Sequence, residues 1–352
     1  MDIVVDLQYG DSGKGKISKL LADKYNYDSI NRYSGSNNSG HHVYHENKLY
    51  TLHYLTSGIF KKNRKIIFGA GCYIHPESFL KEIETFDKEF NIKDRIFIDG
   101  NCHIITNDHL ELDRFNSDGL SNKIGTTGKG TGPCASDKYA RKGIIARNVD
   151  ELKEFIRIPY NFKNWYTYFK GHTCLFEGSQ GMNLDIDSKN YPYVTSSHLH
   201  PAHIASTFKL PISLINDRFT MIYGIAKVYE TYSGHRENFL KRFNVEIEEK
   251  ISNLGKEIGV TTGRKRQIGI LNLDQLIYNI NSIGANRVIL NKIDILDNIN
   301  HYELFFEDNN ISFKEKKSFI RFIENKIISH CISIDRECIL FSGDAKGNDI
   351  KI

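Results

Sequence analysis

The chain has 352 residues, of which 40% are hydrophobic, and its formal net charge is +4. This size and composition suit one large α/β domain, which we predict to span residues 1–352. The small charge excess argues against a nucleic-acid-binding protein, and no apolar run reaches membrane-spanning length. Six scattered cysteines without metal-binding spacing, and an N-terminus without a signal-peptide pattern, predict a cytoplasmic protein.

Short β-branched runs alternate with helical patterns along the chain. The predicted strands are Asp2–Leu7, Lys65–Phe68, Arg95–Ile98, Thr173–Phe176, Thr220–Val228, Arg287–Leu290 and Glu337–Phe341. The predicted helices are Gly15–Tyr25, Pro76–Phe90, Val149–Ile156, Leu271–Ile280 and Phe313–Ile328. This alternation predicts an α/β fold with a mostly parallel central sheet covered by helices. The segment Asn101–Gly143, rich in Gly, Thr and Asn, is predicted to be loop-rich.

A turn rich in Gly and Lys follows the first strand and begins the first helix, with the sequence Gly10-Asp11-Ser12-Gly13-Lys14-Gly15-Lys16. Glycines let backbone N–H groups close around phosphate oxygens, and the helix N-terminus and the lysines favour negative charge. The spacing is not that of a Walker A motif, so an ordinary tight turn is the alternative. Asp11 favours a functional site, because a carboxylate can bind Mg²⁺ or act as a base.

Three further polar loops offer groups for a nucleotide. His41 lies in the run Asn37-Asn38-Ser39-Gly40-His41-His42. Taken alone, this histidine is more typical of a surface residue than of a general acid. The run IGTTGKGTGP at 124–133, with Arg141 beyond it, suits a phosphate monoester or a surface loop equally well. Gln180 follows the predicted strand Thr173–Phe176 and precedes the run Tyr191–Ser197. A polar side chain just after a strand either faces a ligand or completes a turn.

Two basic motifs lie in the last third of the chain. Val260–Arg266 places two hydroxyls and three cations around one Gly, which suits a small carboxylated substrate, although a solvated basic loop has the same composition. Asn291-Lys292-Ile293-Asp294 directly follows a predicted strand. It has the N-K-x-D arrangement that reads guanine, in which the Asp accepts from N1–H and the 2-amino group.

Taken together and in this order, the runs resemble adenylosuccinate synthetase over essentially the whole chain. The matching runs are GDSGKGK, NNSGHH, IGTTGKGTGP, DKYARKG, FEGSQG, LDID, YPYVTSS, VTTGRKR and NKID. The resemblance implies a P-loop-NTPase-like fold with long active-site loops. It also implies a ligase that joins L-aspartate to C6 of a purine nucleotide through a 6-phosphoryl intermediate. Mg²⁺ and a triphosphate donor, either ATP/dATP or GTP, would be required.

The resemblance assigns a role to each matching residue. Catalysis would fall to Asp11, His41, Gln180 and Lys14, with Asp11 deprotonating purine N1 and His41 protonating the leaving side of the γ-phosphate. The purine nucleotide would contact Asp11, Ser12, Asn38, Thr127, Arg141, Gln180, Thr195 and Arg264. The donor triphosphate would contact Gly10, Ser12, Gly13, Lys14, Gly15, Lys16, Gly40, His41, His42, Arg266, Lys292, Asp294, Ser342 and Gly343. Aspartate would contact Val260, Thr261, Thr262, Gly263, Arg264 and Arg266, and the metal would contact Asp11 and Gly40. Arg141 would act across the interface of a homodimer.

The chain departs from the family at Ser12, where the family usually has Glu. A short hydroxyl leaves room for, and can accept from, the 2-amino group of guanine, which resembles the phage branch of the family. We therefore predict that dGMP is converted to the precursor of 2-aminoadenine DNA, in the host cytoplasm if the protein is phage-encoded. The alternatives are the enzyme that uses IMP and GTP, a catalytically inactive nucleotide-binding relative, and a GTPase-like switch. Asp294 favours GTP as the donor, whereas the altered Gly343-Asp344 loop and the phage branch favour ATP or dATP.

Overall fold

The computed structural model describes residues 1–38, 40–115, 125–215, 217, 219–234, 241–259, 263–332, 334–350 and 352. The strands of these residues, β1 to β16 in chain order, are Asp2–Asp6, Ser29–Arg32, His41–His45, Lys48–Leu52, Lys65–Phe68, Tyr73–Ile74, Ile96–Ile98, His103–Ile104, Cys174–Glu177, Met221–Lys227, Tyr229–Tyr232, Gln267–Asn272, Arg287–Asn291, Tyr302–Phe306, Asn309–Phe313 and Ile339–Ser342. The α-helices, α1 to α11, are Lys14–Lys24, Pro76–Phe90, Asn107–Phe115, Thr131–Tyr139, Trp165–Lys170, His203–Phe208, Ile212–Ile215, Val245–Gly255, Leu273–Ile283, Ile293–Ile299 and Lys316–His330.

Eight strands form the central sheet in the order β16-β13-β10-β1-β9-β2-β5-β7. Every neighbouring pair in this sheet is parallel, so all eight carboxyl ends lie along one edge. A smaller four-stranded sheet has the order β11-β12-β14-β15, and β3 and β4 form an antiparallel hairpin. The predicted α/β fold with a parallel central sheet is confirmed.

Strand β1 shows how the central sheet is covered on both faces. Ile3 and Val5 belong to the large apolar core on one side of the sheet. Val4 packs in a second cluster with Ile17 and Leu21 of α1 on the other side. Successive strand residues point to opposite faces, so an uninterrupted apolar run is what a strand buried on both faces requires.

The seven predicted strands all lie in the central sheet, with ends that differ from the prediction by no more than two residues. The eighth strand, Ser29–Arg32, was not predicted because half of it is strongly polar. All four of its residues are nevertheless buried. Asn31 donates to the carbonyl of Leu175 at 3.1 Å, and Arg32 lies 3.3 Å from Glu177, so neighbouring strand β9 provides a polar partner for each side chain.

Four of the five predicted helices are present as α1, α2, α9 and α11. The fifth, Val149–Ile156, is a 3₁₀ helix over Asp150–Phe155. The segment Asn101–Gly143, predicted to be loop-rich, also contains α3 and α4, which were not predicted. No helix of the described residues is long and apolar enough to cross a membrane. That residues 1–352 form one domain stays a prediction.

Candidate active site

A cavity of about 1200 Å³ opens at the carboxyl edge of the parallel sheet. Segments that follow β1, β9, β13 and β16 form much of its wall, which is where open parallel sheets bind ligands. The predicted site residues that line it are Gly10, Asp11, Ser12, Gly13, Lys14, Gly15, Lys16, Asn38, Gly40, His41, His42, Thr127, Gln180, Thr195, Arg266, Lys292, Asp294, Ser342 and Gly343. Motifs scattered along the chain therefore meet around one space.

The Gly-rich loop after β1 is folded around the buried carboxylate of Asp6. One oxygen accepts from the backbone N–H groups of Gln8 at 2.9 Å and Gly10 at 3.2 Å. The other accepts from the backbone N–H of Ser12 at 3.1 Å. Lys14 Nζ lies 3.3 Å from the same carboxylate. The loop conformation is thus set by a charged acceptor inside the turn, which the sequence patterns did not predict.

Two glycines of this loop are required by close contacts. Gly13 precedes α1 with φ at +96°, and a Cβ there would lie 2.8 Å from Asn291 Nδ2. That amide donates to the carbonyl of Ser12 at 2.7 Å, which ties the loop to the end of β13. A Cβ at Gly15 would lie 2.7 Å from Cδ2 of His41. The glycines therefore let His41 and Asn291 approach the backbone of α1.

Asp11, the predicted catalytic base, forms an ion pair across the cavity. Its residue has φ at +57°, and its carboxylate lies 2.7 Å from Arg266 Nη2. The Ser233 hydroxyl lies at 3.5 Å from the same oxygen. Arg266 in turn donates from Nη1 to Glu257 at 2.6 Å. The carboxylate predicted to act on a substrate is thus held by a cation.

The His41 ring lies between the carboxylate of Glu177 and the guanidinium of Arg32. Its Nε2 is 3.3 Å from a Glu177 oxygen, and its Nδ1 is 3.4 Å from Arg32 Nη2. Because a guanidinium can only donate, Nδ1 accepts, and we assign the ring proton to Nε2. Burial, followed by the nearby charges of Arg32 and Lys14, holds the pKa of His41 well below its usual range. The imidazole is therefore neutral near pH 7.

The two lysines of the loop face opposite ends of the cavity. Lys14 is bound to Asp6 and to the backbone carbonyl of Gln180. Lys16 donates to the Ser342 hydroxyl at 2.8 Å and to the carbonyl of Asp344 at 3.0 Å. Burial lowers the pKa of Lys16 to about 8, against the opposing effect of nearby carboxylates.

Three residues predicted to hold the purine nucleotide form one hydrogen-bonded chain. Gln180 Nε2 donates to Asn38 Oδ1 at 2.7 Å, and Asn38 Nδ2 donates to Thr195 Oγ1 at 3.5 Å. Gln180 has φ at +38°, in the left-handed region that side chains rarely adopt. This backbone conformation directs a buried amide at the cavity instead of continuing strand β9.

The N-K-x-D residues form the other end of the cavity. Lys292 has φ at +71° and directly precedes α10, and its ammonium donates to the carbonyl of Gly255 at 2.9 Å. Asp294 Oδ1 is buried without a hydrogen-bond partner among the described residues. Burial raises the pKa of Asp294, with Lys292 acting against this shift. A Cβ at Gly343 would lie 2.7 Å from Asp294 Cβ, so the C-terminal loop packs directly on this carboxylate.

Ser12 has an orientation that bears on the choice of purine. The residue is only 1% exposed. Its hydroxyl lies 3.4 Å from Gln8 Oε1 and 3.3 Å from the carbonyl of Gly10, so it is directed into the loop. The dGMP hypothesis requires this hydroxyl beside the purine. Its observed orientation favours an internal role in the loop.

Several predicted residues do not line the cavity. Arg141 is exposed just beyond α4, and Gly263 and Arg264 are exposed after an undescribed stretch. Arg264 donates to the carbonyls of Gly125 and Thr126, each at 3.2 Å, so it binds the backbone of that segment from outside the cavity. The remaining predicted aspartate-binding residues, Val260, Thr261 and Thr262, lie outside the described residues.

The buried charges that hold the predicted residues in place were not predicted from the sequence. These are Asp6, Arg32, Glu177, Lys227 and Glu257, all less than 9% exposed. Asp6, Glu177 and Lys227 each lie within or beside a run of apolar residues. A charged residue in such a segment is rarely buried unless paired, so this pattern was the available signal.

A separate group of possible metal ligands lies away from this cavity. Asp185, Asp187 and His198 place one ligand atom each within 4.8 Å of the others. The buried member, Asp185, already accepts from the backbone N–H groups of Asp187 at 3.0 Å and His200 at 3.2 Å. These bonds explain Asp185 as the anchor of its loop.

A sequence model of the family described as adenylosuccinate synthetase matches residues 3–164 and 165–307. An adenylosuccinate synthetase from Chlorobium phaeobacteroides is 35% identical, over 84% of this chain and 76% of its own length. The enzyme of that name from Malacoplasma penetrans is 31% identical, over 84% of this chain and 78% of its own length.

Two solved structures have the same fold. The fully ligated adenylosuccinate synthetase from Plasmodium falciparum superimposes with a TM-score of 0.81, at 24% identity, over 96% of this chain and 99% of its own. The succinoaminodeoxyadenylate synthetase of cyanophage S-2L superimposes with a TM-score of 0.68, at 18% identity, over 93% and 98%. That protein was solved with dGMP and with dATP as an energy donor.

Proposed function

Since the chain belongs to the adenylosuccinate synthetase family, it is a ligase that joins aspartate to a purine nucleotide with a nucleoside triphosphate, and we propose that it uses IMP and GTP. The observation that carries the proposal is the meeting of Asp11, Lys14 and His41 on one cavity wall. These residues supply a base, a cation and a proton donor around a phosphate-binding loop.

The proposed reaction has two steps. Asp11 removes the N1 proton, the electrons move to O6, and a bond forms between O6 and the γ-phosphorus as the bond to the leaving diphosphate breaks. The aspartate amine then attacks C6. The C6–O6 bond breaks, phosphate leaves with the purine oxygen, and the new nitrogen loses a proton. Phosphorylation is needed because an unactivated O6 is a poor leaving group.

His41 and Lys14 are placed to manage the transferring phosphate. The neutral His41 carries its proton on Nε2, which has no well-aligned hydrogen-bond acceptor among the described residues. A γ-phosphate oxygen would provide that acceptor, and its negative charge would raise the pKa of the ring. Lys14 would exchange its bond to the Gln180 carbonyl for phosphate oxygens.

Asp11 and the carbonyl of Gly40 are the groups proposed to hold Mg²⁺. Both residues line the cavity, and two protein oxygens fit a cation that keeps its other positions for water and phosphate. When bound, Mg²⁺ would neutralise charge on the phosphates. Asp11 is paired with Arg266, so its oxygen becomes available when Arg266 takes another partner.

Asp294 supports GTP as the donor. Its buried, unpaired oxygen is an acceptor, which matches the N1–H and 2-amino donors of guanine. Adenine presents an acceptor at N1, so it would face this oxygen unfavourably. Lys292, Ser342 and Gly343 complete the same end of the cavity and would surround the base.

IMP is proposed as the purine because the Ser12 hydroxyl donates within its own loop, an orientation that does not direct it at a purine 2-amino group. The hydroxyl that would accept from guanine is bonded inside the loop. The curated relatives at 31–35% identity are also named adenylosuccinate synthetases.

The second candidate is dGMP, with dATP or ATP as the donor. It is favoured by the small volume of Ser12, which leaves space that the usual Glu would fill. The cyanophage neighbour, solved with dGMP and dATP, shares the fold at 18% identity. In this candidate, Ser12 admits the 2-amino group of dGMP through its small size alone and accepts no hydrogen bond from it.

Aspartate is proposed to contact Arg266, together with the predicted residues Val260, Thr261, Thr262 and Gly263. Arg264, which donates to the carbonyls of Gly125 and Thr126, is the further residue predicted to contact it. Arg141, exposed and outside the cavity of its own chain, is proposed to reach the nucleotide phosphate of a partner subunit in a homodimer.

A substrate panel tests the proposal. The purified protein is incubated with L-aspartate, Mg²⁺, one purine nucleotide (IMP or dGMP) and one donor (GTP, ATP or dATP), and nucleotides are separated with mass detection. We expect a succinylated nucleotide from IMP with GTP. Product from dGMP alone would reject IMP in favour of the second candidate. Nucleotide binding without any aspartate-dependent phosphate release would identify an inactive relative.

A further inference from the structure

A buried network of charges lies behind Asp11 and Arg266. The Glu257 carboxylate, 1% exposed, accepts from Arg266 Nη1 at 2.6 Å and from the Tyr229 hydroxyl, also at 2.6 Å. The ammonium of Lys227 lies 3.3 Å from the same carboxylate and is itself 1% exposed. The network joins the end of β10 and the start of β11 to the segment ahead of β12.

The charges in this network balance. Burial alone would raise the pKa of Glu257, but Lys227 and Arg266 hold that pKa at about 2. Asp11 and Glu257 supply two negative charges, and Lys227 and Arg266 supply two positive ones. Buried ion pairs of this kind persist when every member has partners, and removal of one member leaves the others unpaired.

The guanidinium of Arg266 is shared unequally. Nη1 is bound to Glu257, and Nη2 is bound to Asp11 at 2.7 Å. Nε is buried without a hydrogen-bond partner among the described residues. Nε and Nη2 form one edge of the planar group, and such an edge binds a carboxylate through two parallel hydrogen bonds. Only Nη2 of this edge has an acceptor, and that acceptor is Asp11, whose proposed role is to act as the base.

We propose that Glu257 is a positioning residue that fixes Arg266 through Nη1, so that its Nε–Nη2 edge receives a carboxylate of the aspartate substrate. The inference rests on the proposed function and names a residue for its aspartate step. A substrate carboxylate on this edge displaces Asp11 from Nη2. Asp11 is then free for purine N1 and the metal, so aspartate binding and release of the base occur together.

Lys227 and Tyr229 keep Glu257 in place for this task. Tyr229 donates to one oxygen of the carboxylate, while Lys227 and Arg266 both contact the other. Lys227 also donates to the hydroxyl of Thr231. The carboxylate consequently has a fixed position, which a flexible acceptor at the surface would lack.

The test compares Glu257→Gln with Glu246→Gln, which removes the same charge from an exposed pair with Lys250. Steady-state rates are measured with aspartate or IMP as the varied substrate. We expect Glu257→Gln to raise KM for aspartate about tenfold or more while KM for IMP changes less than about twofold. Glu246→Gln should change neither.

A role in folding alone would lower kcat or the amount of folded protein and leave KM for aspartate unchanged, which would overturn the proposal. The double variant Lys227→Met with Glu257→Gln keeps the network neutral, and it should fold and still bind aspartate weakly. Calorimetric titration of L-aspartate into each protein gives a second readout. If the wild type forms no succinylated product, the proposed function fails, and the titration still decides the role of Glu257 by its loss or retention of binding.

Discussion

At the scale of single residues, the charged groups of the site are paired with one another. Asp11 is held by Arg266, Lys14 by Asp6, and His41 lies against Glu177. These pairs limit the cost of burying charge in the site. Substrates must therefore exchange with existing partners, and the roles of Asp11 and Lys14 depend on that exchange.

The contact between Gly15 and His41 gives a prediction at this scale. Gly15→Ala places a methyl group 2.7 Å from the imidazole, and His41 must shift. We expect kcat to fall about 10- to 100-fold, because a misplaced proton donor contributes little. The measurement is the rate of succinylated nucleotide formation at saturating substrates.

The matched control is Gly171→Ala, whose added methyl would have its nearest neighbours at 3.9 Å. Its activity should stay close to that of the wild type. Full activity in Gly15→Ala would contradict the assigned position of His41.

Residue patterns in the sequence predicted the groups that face the cavity better than those behind them. Asp11, His41 and Asp294 lie in short polar motifs beside strands, and all three line the cavity. Asp6 and Glu257 were not predicted, because their function depends on partners that are close in space. Glu257, for example, contacts Lys227, which lies 30 positions earlier in the chain.

At the scale of elements, apolar runs correctly predicted the strands that pack against apolar side chains on both faces of the sheet. Strand Ser29–Arg32 escaped prediction because its polar side chains have partners on strand β9, a pairing that the sequence does not display. Helices α3 and α4 were missed because glycines and asparagines around them resemble loop sequence. Gly130 in fact precedes α4 in a left-handed conformation, as helix-flanking glycines often do.

Strand β11 gives a prediction about stability. Glu230 is buried opposite Gly269, and burial raises its pKa to about 8. The folded state therefore binds this proton more tightly than the unfolded chain, so stability decreases as pH rises from about 4.5 towards 8. Glu230→Gln removes this pH dependence. We expect the difference in unfolding free energy between the variant and the wild type to be about 1–3 kcal/mol more favourable to the variant at pH 8 than at pH 5.

Urea unfolding of both proteins at pH 5 and pH 8 provides the measurement. The control is Glu84→Gln, which changes an exposed glutamate of α2. Parallel pH profiles for the wild type and Glu230→Gln would show that the carboxyl of Glu230 is not held protonated.

At the scale of the whole molecule, the parallel sheet collects the site. Motifs from residue 10 to residue 343 meet because all eight carboxyl ends lie along one edge. The order of the motifs allowed this site to be predicted from the sequence. The orientation of Ser12 was not predictable, since it depends on hydrogen bonds within the folded loop.

The proposed homodimer can be tested by complementation. Asp11→Asn and Arg141→Leu should each be nearly inactive, the first through loss of the base and the second through loss of a contact to the partner's nucleotide. After the two proteins are mixed and allowed to exchange subunits, each mixed dimer has one intact site. We expect recovery of roughly a quarter of wild-type activity. No recovery from a mixture that demonstrably exchanges subunits would place Arg141 in the site of its own chain, or outside any site.

The central claim is that the purine oxygen itself becomes phosphorylated and leaves with the phosphate. IMP labelled with ¹⁸O at position 6 is converted in the presence of aspartate, Mg²⁺ and GTP, and the released phosphate is examined by mass spectrometry. We predict one ¹⁸O atom in each phosphate formed together with succinylated nucleotide. Unlabelled phosphate accompanying that product would show that O6 never bonds to phosphorus, which would contradict the proposed roles of Asp11, His41 and Lys14.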